Sequence, residues 1–496
     1  MRNLGPHQRA FPGNSAVRQS KGAALLPVGM EEQFVTKHFV AIQVGAVSFV
    51  DEGVERVLDT FQERGHVNAL FLATPTWTRG TGGRQLPGQP LPDHGVREYD
   101  PGWVGGNYAT VHAEFYGGTM LGPVGRAPEH PDFDIFSTVL PTAKRRGMQT
   151  IAWIEESSYA QELRNYPNFP KCLEVDAWSR PAPRFCFNNP DYRSWHLSIV
   201  EDYVKSYDLD GIAWCSERPG PLNVLLQGPV QPSAVSCFCS HCQRIARDRG
   251  IDVRRALEGY RLALEWNATA AAGKVASDGA FVSFWRLLLR YPELLAWQTL
   301  WTDSQHQLYR DIYGLAKACK PGIQVGWHVY HNISFSPFYR ADQDYGEMSR
   351  FSDFIKVVNY NNCAGPRFHA WIEHICKALF ADAGPAEVYP LMLKLLQLDE
   401  GPYDALPTSG FSANYVQRET ARAVAAVEGR CRIYPGIDID IPTAEQDVHC
   451  TRDGVRAAVL AAFAGGAEGV VLSRKYSEMQ LDHLAGAGDA MRELGQ

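Results

Sequence analysis

The sequence predicts an α/β fold in which eight parallel strands, each followed by a helix, close into a (β/α)₈ TIM barrel with long loops inserted after strands two and four. Two observations lead to this prediction. Short apolar segments rich in β-branched and aromatic residues recur along the chain, and helical periodicity fills most intervals between them. Steady alternation of strand and helix implies parallel pairing, and eight such units close into a barrel covered by helices.

The predicted strands are separated by helices along most of the chain. The strands lie at residues 38–46, 67–74, 149–155, 210–216, 323–330, 353–360, 432–440 and 469–474. The helices lie at residues 52–64, 136–146, 192–206, 301–320, 368–380 and 413–428. A doubly wound open sheet is the rival fold, but the turn after the first strand (QVGAVSFVDEG) is a poor match to a glycine-rich phosphate turn. Residues 387–396 (EVYPLMLKLL) fit either a ninth strand or a short helix.

The domain prediction follows from this order of elements. Residues 1–36, rich in Gly, Pro, Arg and Gln, form an N-terminal extension expected to be poorly ordered, and residues 37–496 form the barrel. Two connections exceed ordinary loop lengths, at residues 75–134 and 218–321. We expect both to pack over the carboxyl-end face of the barrel, the second as a small helical subdomain.

Composition excludes several classes of function. The chain has 48 Lys and Arg against 55 Asp and Glu, a net charge of −7 that lacks the basic excess required for binding nucleic acid. We expect no membrane span, because no apolar run approaches the roughly 20 residues that one requires, and no signal-peptide core is evident. Eleven cysteines, an odd number, favour a reducing cytoplasm. A homo-oligomer is left open.

Glu217 is the leading candidate for a catalytic residue. It emerges from the fourth predicted strand in DLDGIAWCSERPGPL, just before the turn Pro219-Gly220-Pro221. Functional side chains of a barrel come from strand ends. A carboxyl on a rigid strand at the rim suits a general acid, and we expect burial to raise its pKa toward the working pH. The alternative is a structural glutamate paired with Arg218 or another arginine.

The seventh predicted strand supplies a second carboxyl. In IYPGIDIDIP, Asp438 and Asp440 share one face by the two-residue period of a strand. Asp438 is the deeper and is our candidate for nucleophile or base. Asp440 is either its helper or a loop anchor, and structural roles remain open for both.

Other strand ends carry groups suited to holding sugar hydroxyls. Glu155 or Glu156 ends the third strand and points into the barrel if the strand is regular. Donors at strand ends also suit a developing anion, and aromatic rings stack on sugar faces. The remaining candidates for substrate binding are Trp214, Arg218, His328, Tyr330, Asn359, Tyr360, Arg474 and Lys475.

A dense cysteine cluster predicts a metal site. Cys237, Cys239 and Cys242 lie within six positions, and thiolates at this density usually bind Zn²⁺. The fourth ligand is either His241 or a distant cysteine. We expect a closed structural site that pins the long loop, since sulfur-rich four-coordinate sites leave no open position. Free thiols are the alternative.

Three segments, FCFNNPDYRSW, YDLDGIAWCSERPGPL and CFCSHC, resemble bacterial barrel proteins similar to clan A glycoside hydrolases and to the family 42 β-galactosidases. The resemblance covers residues 150–260 well and the remainder through strand order. It implies that Glu217 holds the acid/base position and Asp438 the nucleophile position, and that the cysteines match the family 42 zinc site.

Two departures stand against that transfer. Ser216 precedes Glu217 where clan A usually has Asn, and the nucleophile candidates are aspartates where clan A has Glu. Cys215 also stands where a chitinase-like mechanism would place an Asp. The expected function is hydrolysis of a glycosidic bond, with retention of configuration, on a carbohydrate or glycoside substrate. The alternatives are a sugar lyase or isomerase with His328 or Glu155 as base, and a carbohydrate-binding barrel without catalysis.

Overall fold

A computed structural model describes residues 38–77, 82–156, 167–442 and 446–496. The predicted N-terminal extension, residues 1–36, lies outside the described residues. All eight predicted strands are present and pair in parallel. We number them β1 (Phe39–Gly45), β2 (Ala69–Ala73), β3 (Gln149–Glu155), β4 (Gly211–Cys215), β5 (Gln324–His328), β6 (Phe354–Lys356), β7 (Arg432–Ile433 and Gly436–Asp438) and β8 (Gly469–Ser473).

The curled sheet closes through the two parts of β7. Arg432–Ile433 pairs with β6, whereas Gly436–Asp438 pairs with β8. Between them lies Pro435, which has no N–H to donate to a ladder and so interrupts the strand. The backbone N–H of Gly436 still donates to Val357 across the junction, at 2.7 Å. The predicted barrel class is therefore confirmed.

Apolar side chains fill the interior of the barrel. Small and large residues alternate across facing strands, as close packing requires. A Cβ atom on Gly326 would lie 2.2 Å from the ring of Phe354, so the glycine makes room for that ring. The interior cluster consists of Ala41, Ala69, Phe71, Ile151, Trp153, Ala213, Cys215, Phe354, Tyr434 and Val471. Polar groups are thus left to the strand ends.

The helices agree with the predicted periodicity at most positions. Residues 387–396 belong to a helix, Pro385–Leu396, which begins where Glu387 accepts the backbone N–H of Gly384 at 3.0 Å. Short helices replace a full barrel helix after β5. The helices outside the long connections are Ala46–Glu52, Val54–Gly65, Ile135–Arg145, Pro190–Ser206, Pro337–Asp342, Tyr345–Met348, Asn361–Ile375, Pro385–Leu396, Leu406–Ser409, Ala413–Val427, Arg452–Ala464 and Leu481–Glu493, and the helix Glu293–Cys319 ends the second long connection.

Three connections elaborate the carboxyl ends of the strands. The described part of the connection after β2 contains one 3₁₀ turn, Ala113–Tyr116. The connection after β4 contains four helices before Glu293–Cys319: Pro221–Leu226, Ser240–Asp248, Val253–Ala271 and Ala280–Arg290. An antiparallel hairpin after β3, Leu173–Val175 with Pro181–Phe185, was not predicted. Among the described residues, no helix is both long enough and apolar enough to cross a membrane.

Candidate active site at the strand ends

Glu217 and His328 meet at the carboxyl end of the barrel. Cys215, the last residue of β4, is the register partner of His328, the last residue of β5. Glu217 follows the strand end by two residues, and its contact with His328 places it on the same, inward side as Cys215. Its Oε1 is 2.7 Å from Nε2 of His328. The Glu217 side chain is 45% exposed and that of His328 5%, so the carboxylate faces the barrel mouth and the imidazole lies beneath it.

The pKa of Glu217 is lowered, which corrects the expectation that burial would raise it. Desolvation does push it upward, but the hydrogen bond from His328 and the charges of His328, Arg367 and Lys356 outweigh that effect. Burial, followed by the charge of Lys356, lowers the pKa of His328 to about 4. The site at neutral pH therefore contains a carboxylate and a neutral imidazole.

Lys356 extends this pair inward and was missed in the sequence. It ends β6, where it is the register partner of His328. Its buried Nζ lies 3.1 Å from Nδ1 of His328 and donates to the hydroxyl of Tyr360 at 2.7 Å. Burial lowers the pKa of Lys356 to about 7. A lysine within the apolar segment DFIKVV was the available signal, because a buried lysine in a strand needs polar partners.

Asp438 lies at the end of β7 and is 2% exposed. Its carboxyl oxygens accept the backbone N–H groups of Cys363, at 3.0 Å, and Ile441, at 3.3 Å. Burial nevertheless raises the pKa of Asp438 to about 6, because desolvation outweighs these bonds and the charge of Arg367. Asp438 thus holds a proton more readily than Glu217 does.

Asp440 anchors a loop, which was one of its two predicted roles. The strand ends at Asp438, and Asp440 has a φ of 53°, so the two-residue period does not continue to it. Its carboxylate contacts Nδ1 of His483 at 2.8 Å and accepts the backbone N–H of Gln480 at 2.8 Å. Asp438 and Asp440 still line one cavity of about 280 Å³ between the loops that follow β7 and β8.

Arg367 links the two candidate carboxyls electrostatically. It lies in the helix that follows β6 and lowers the pKa of both Glu217 and Asp438. Its Nη1 is 3.1 Å from Nδ1 of His331. Sequence reasoning missed it because it follows the strand end by several residues, although the first turns of such a helix also reach the rim.

Three predicted substrate-binding residues point away from the mouth. Trp214 is fully buried against His196, with ring centroids 4.5 Å apart. Asn359 is buried and donates to Thr420 at 3.0 Å. Each occupies the outward parity of its strand, next to an inward-facing neighbour. These positions correct the prediction for both residues.

Arg218, the third of these residues, is an internal ion-pair partner. It is 1% exposed and donates to Glu156 at 2.6 Å and to Glu174 at 2.8 Å. Two carboxylates therefore share one guanidinium inside the protein, and each buried charge has a partner of opposite sign. The burial of Arg218 contradicts its predicted contact with substrate. Its guanidinium pairs with Glu156 and Glu174, and the alternative pair with Glu217 is not formed. Glu156 is also buried and does not reach the mouth.

Of the remaining predicted residues, some lie near the barrel mouth and others hold the surrounding loops in place. Glu155 is half-buried and accepts a hydrogen bond from Thr76 at 2.5 Å. Arg474 pairs with Glu478 at 2.6 Å. Lys475 is buried and donates to the backbone oxygen of Gly83 at 2.7 Å, which makes it a support for the loop after β2. Tyr330 is partly buried, with its ring 6.0 Å from that of Tyr339; Tyr360 is the buried partner of Lys356 described above.

A second cluster contains four buried cysteines: Cys186, Cys237, Cys239 and Cys242. Their sulfur atoms all lie within 4.8 Å of one another. Cys186, at 3.5 Å from both Cys239 and Cys242, is the distant cysteine that the sequence left unidentified, and His241 is not part of the group. The cluster joins the end of the unpredicted hairpin to the helix Ser240–Asp248 and could hold a metal such as zinc.

No protein-family model and no curated protein matches the chain. Several solved structures match it in fold. A β-galactosidase from the haloarchaeon Halorubrum lacusprofundi matches with a TM-score of 0.51 and 14% identity, over 92% of this chain and 58% of that one. A β-galactosidase from Marinomonas ef1 matches with a TM-score of 0.50 and 11% identity, over 92% and 59%.

A third β-galactosidase, from Bacillus circulans sp. alkalophilus, matches with a TM-score of 0.50 and 11% identity, over 92% of this chain and 56% of that one. The chain therefore spans less than two thirds of the length of these three enzymes. At such identities the likeness concerns the fold, and the chain shares its curled parallel α/β architecture with barrel glycoside hydrolases.

Proposed function

We propose that the chain is a glycoside hydrolase that cleaves a glycosidic bond with Glu217 and Asp438 as its working carboxyls. The observation that carries this proposal is the opposite direction of their pKa shifts. Glu217 is held as an anion by His328, whereas burial raises the pKa of Asp438 to about 6. Two carboxyl groups whose environments push their pKa values apart divide naturally into an ionised and a protonated partner.

This division reverses the roles implied by the clan A resemblance. Glu217, ionised and exposed at the rim, suits the nucleophile, and Asp438 suits the proton donor to the leaving oxygen. The Arg367 guanidinium lies within electrostatic reach of both groups and is suited to stabilising the negative charge that the reaction redistributes. The barrel fold shared with glycoside hydrolases supports the same substrate class, a carbohydrate or glycoside.

The test is a screen of the purified protein against chromogenic and natural glycosides in water enriched with ¹⁸O. Hydrolysis places one solvent oxygen in the sugar product, and Glu217→Gln should abolish that incorporation. Glu265→Gln, at an exposed glutamate on the helix Val253–Ala271, is the matched control. Unlabelled unsaturated products would instead identify a lyase, and measurable binding without turnover would identify a carbohydrate-binding barrel.

We further propose that the four-cysteine cluster holds a structural Zn²⁺. Tetrahedral Zn–S bonds of about 2.3 Å place sulfur atoms about 3.8 Å apart, and the observed separations of 3.5 Å suit such a set. Four protein ligands leave no open position, so the ion would stabilise the connection after β4 without taking part in chemistry. We also propose a cytoplasmic location, on the odd number of cysteines in the sequence.

A further inference from the structure

His328 stands between two polar neighbours on adjacent strands. Its Cα register partners are Cys215 of β4 and Lys356 of β6, so three inward-facing residues lie at one level of the barrel. Nε2 of the imidazole faces Glu217 at 2.7 Å, and Nδ1 faces Lys356 at 3.1 Å. Both ring nitrogens are therefore engaged, and His328 has no free nitrogen with which to act as a base on its own.

The direction of the hydrogen bonds follows from donor chemistry. Below its pKa of about 7, Lys356 is an ammonium, which has donors and no acceptor, so Nδ1 of His328 must accept. In a neutral imidazole the proton then resides on Nε2, which donates to Glu217 Oε1. One Glu217 oxygen is thereby occupied from below, and Oε2 remains for substrate. Lys356, His328 and Glu217 form a chain of bonds with one direction from the barrel interior to its mouth.

The pocket around Lys356 holds its Nζ in position for the hydrogen bond to His328. Its Nζ contacts His328 and the Tyr360 hydroxyl, and lies 4.9 Å from the centre of the Trp153 ring. Gly436 of β7 lies opposite, where a Cβ atom would be 3.2 Å from Nζ and 2.8 Å from the Tyr360 ring. The absence of a side chain at Gly436 therefore gives Lys356 its place.

The other charged and titratable groups near Lys356, His328 and Glu217 do not replace the hydrogen bonds between these three residues. The buried Cys215 thiol and the Glu217 carboxylate raise the pKa of Lys356, against the larger effect of burial. The charges of Lys356 and Arg367 both disfavour a proton on the neighbouring His331. A neutral His328 that both accepts and donates is thus compatible with its whole surroundings.

We propose that Lys356 is a positioning residue: its hydrogen bond to Nδ1 keeps that nitrogen unprotonated, so that His328 remains a neutral donor that orients Glu217. The consequence for catalysis rests on the proposed glycosidase function. The protonation state of Nδ1 does not, and it can be measured without substrate.

The experiment is ¹⁵N NMR of protein labelled at histidine nitrogens, with the His328 signals assigned by their loss in His328→Gln. At about pH 6, between the pKa of His328 (about 4) and that of Lys356 (about 7), the wild-type protein should show a neutral Nε2–H imidazole with an unprotonated Nδ1. Lys356→Met should give a doubly protonated imidazolium at that pH, because it removes the donor to Nδ1 and its positive charge while the Glu217 carboxylate remains. Lys356→Arg, which keeps a donor and the charge, should retain an unprotonated Nδ1. Lys475→Met is the matched control, because it removes another buried strand-end lysine that bonds to a loop carbonyl instead.

If Lys356→Met does not fold, Gly436→Ala keeps the lysine and displaces its Nζ, and the fraction of His328 protonated at Nδ1 should again increase. A protonated Nδ1 in the wild type at about pH 6, or an unchanged spectrum in folded Lys356→Met or Gly436→Ala, would overturn the inference. A protein that hydrolyses no glycoside but shows the expected spectra would refute the proposed function alone. Hydrolysis together with unchanged spectra would refute only the role of Lys356.

Discussion

Glu217 and His328 are 111 positions apart in the sequence, yet a 2.7 Å hydrogen bond joins the carboxylate of one to the imidazole of the other. Parallel pairing of β4 with β5 brings them together, because the ends of neighbouring strands meet at one edge. This bond gives Glu217 its anionic character and determines what its replacement should do.

The first prediction is that Glu217→Gln retains the fold and loses turnover by about 10²–10⁴-fold or more. An amide is neither a nucleophile nor a base, but it has nearly the same shape. Steady-state kinetics on the best substrate of the screen, with circular dichroism to verify folding, provide the measurement. A variant with the wild-type rate would remove Glu217 from the mechanism.

The second prediction concerns pH dependence. With Asp438 as proton donor, activity requires its protonated form, so kcat/KM should fall as pH rises through about 6, the raised pKa of Asp438. With Glu217 as anion, activity should also fall in acid, below the ordinary range of a glutamate, because its pKa is lowered. Asp438→Asn should lose the limb near pH 6 along with most activity. A profile that instead rises through pH 6 would restore the clan A assignment of roles.

The third prediction is that the purified protein carries about one equivalent of zinc and that Cys186→Ser loses it as completely as Cys239→Ser does. Either change should lower the temperature of unfolding, because the ion is expected to bind only the folded arrangement. Cys376→Ser is the control, at a half-buried cysteine outside the cluster. Elemental analysis and thermal unfolding together test the site, and protein purified without chelator that contains no metal would contradict it.

The fourth prediction tests whether Arg218 stabilises the fold or binds substrate. Arg218→Met should destabilise the fold by about 3–5 kcal/mol, because it leaves Glu156 and Glu174 buried without a counter-charge. Adding Glu156→Gln and Glu174→Gln should recover much of that loss, as measured by urea unfolding. A stable single variant with weakened substrate binding would instead return Arg218 to the site.

The strands could be predicted from the sequence, whereas the directions of the side chains at the strand ends could not. All eight strands follow from local apolar patterns. Residues 387–396 were ambiguous only because a mostly apolar segment of ten residues suits either element. The direction of a side chain at a strand end depends on the parity of its barrel position. Trp214 and Glu217, three residues apart, therefore face opposite ways, which no local pattern distinguishes.

Contacts between distant segments were equally beyond the sequence. Cys186 lies 53 positions before Cys239, so its place in the cluster depends on the hairpin after β3, which has no clear periodicity. The role of Lys356 depends on its contact with His328, which lies on the neighbouring strand. The pKa of Glu217 was misjudged for the same reason, since desolvation at the barrel mouth was foreseeable and the imidazole beneath the carboxylate was not.

The last prediction concerns stereochemistry. If Glu217 attacks the anomeric carbon and Asp438 serves as acid and then base, the reaction should retain configuration and the carboxyls should lie about 5–5.5 Å apart when substrate is bound. Proton NMR of the first-formed anomer tests this before mutarotation obscures it. Azide offers a second arm, because this anion attacks the glycosyl-enzyme without the general base that water needs. In Asp438→Asn, azide should therefore give a glycosyl azide of retained configuration from an activated substrate. Inverted product would require room for a water, at a separation of about 6.5–9.5 Å, and would make Glu217 the base that activates it.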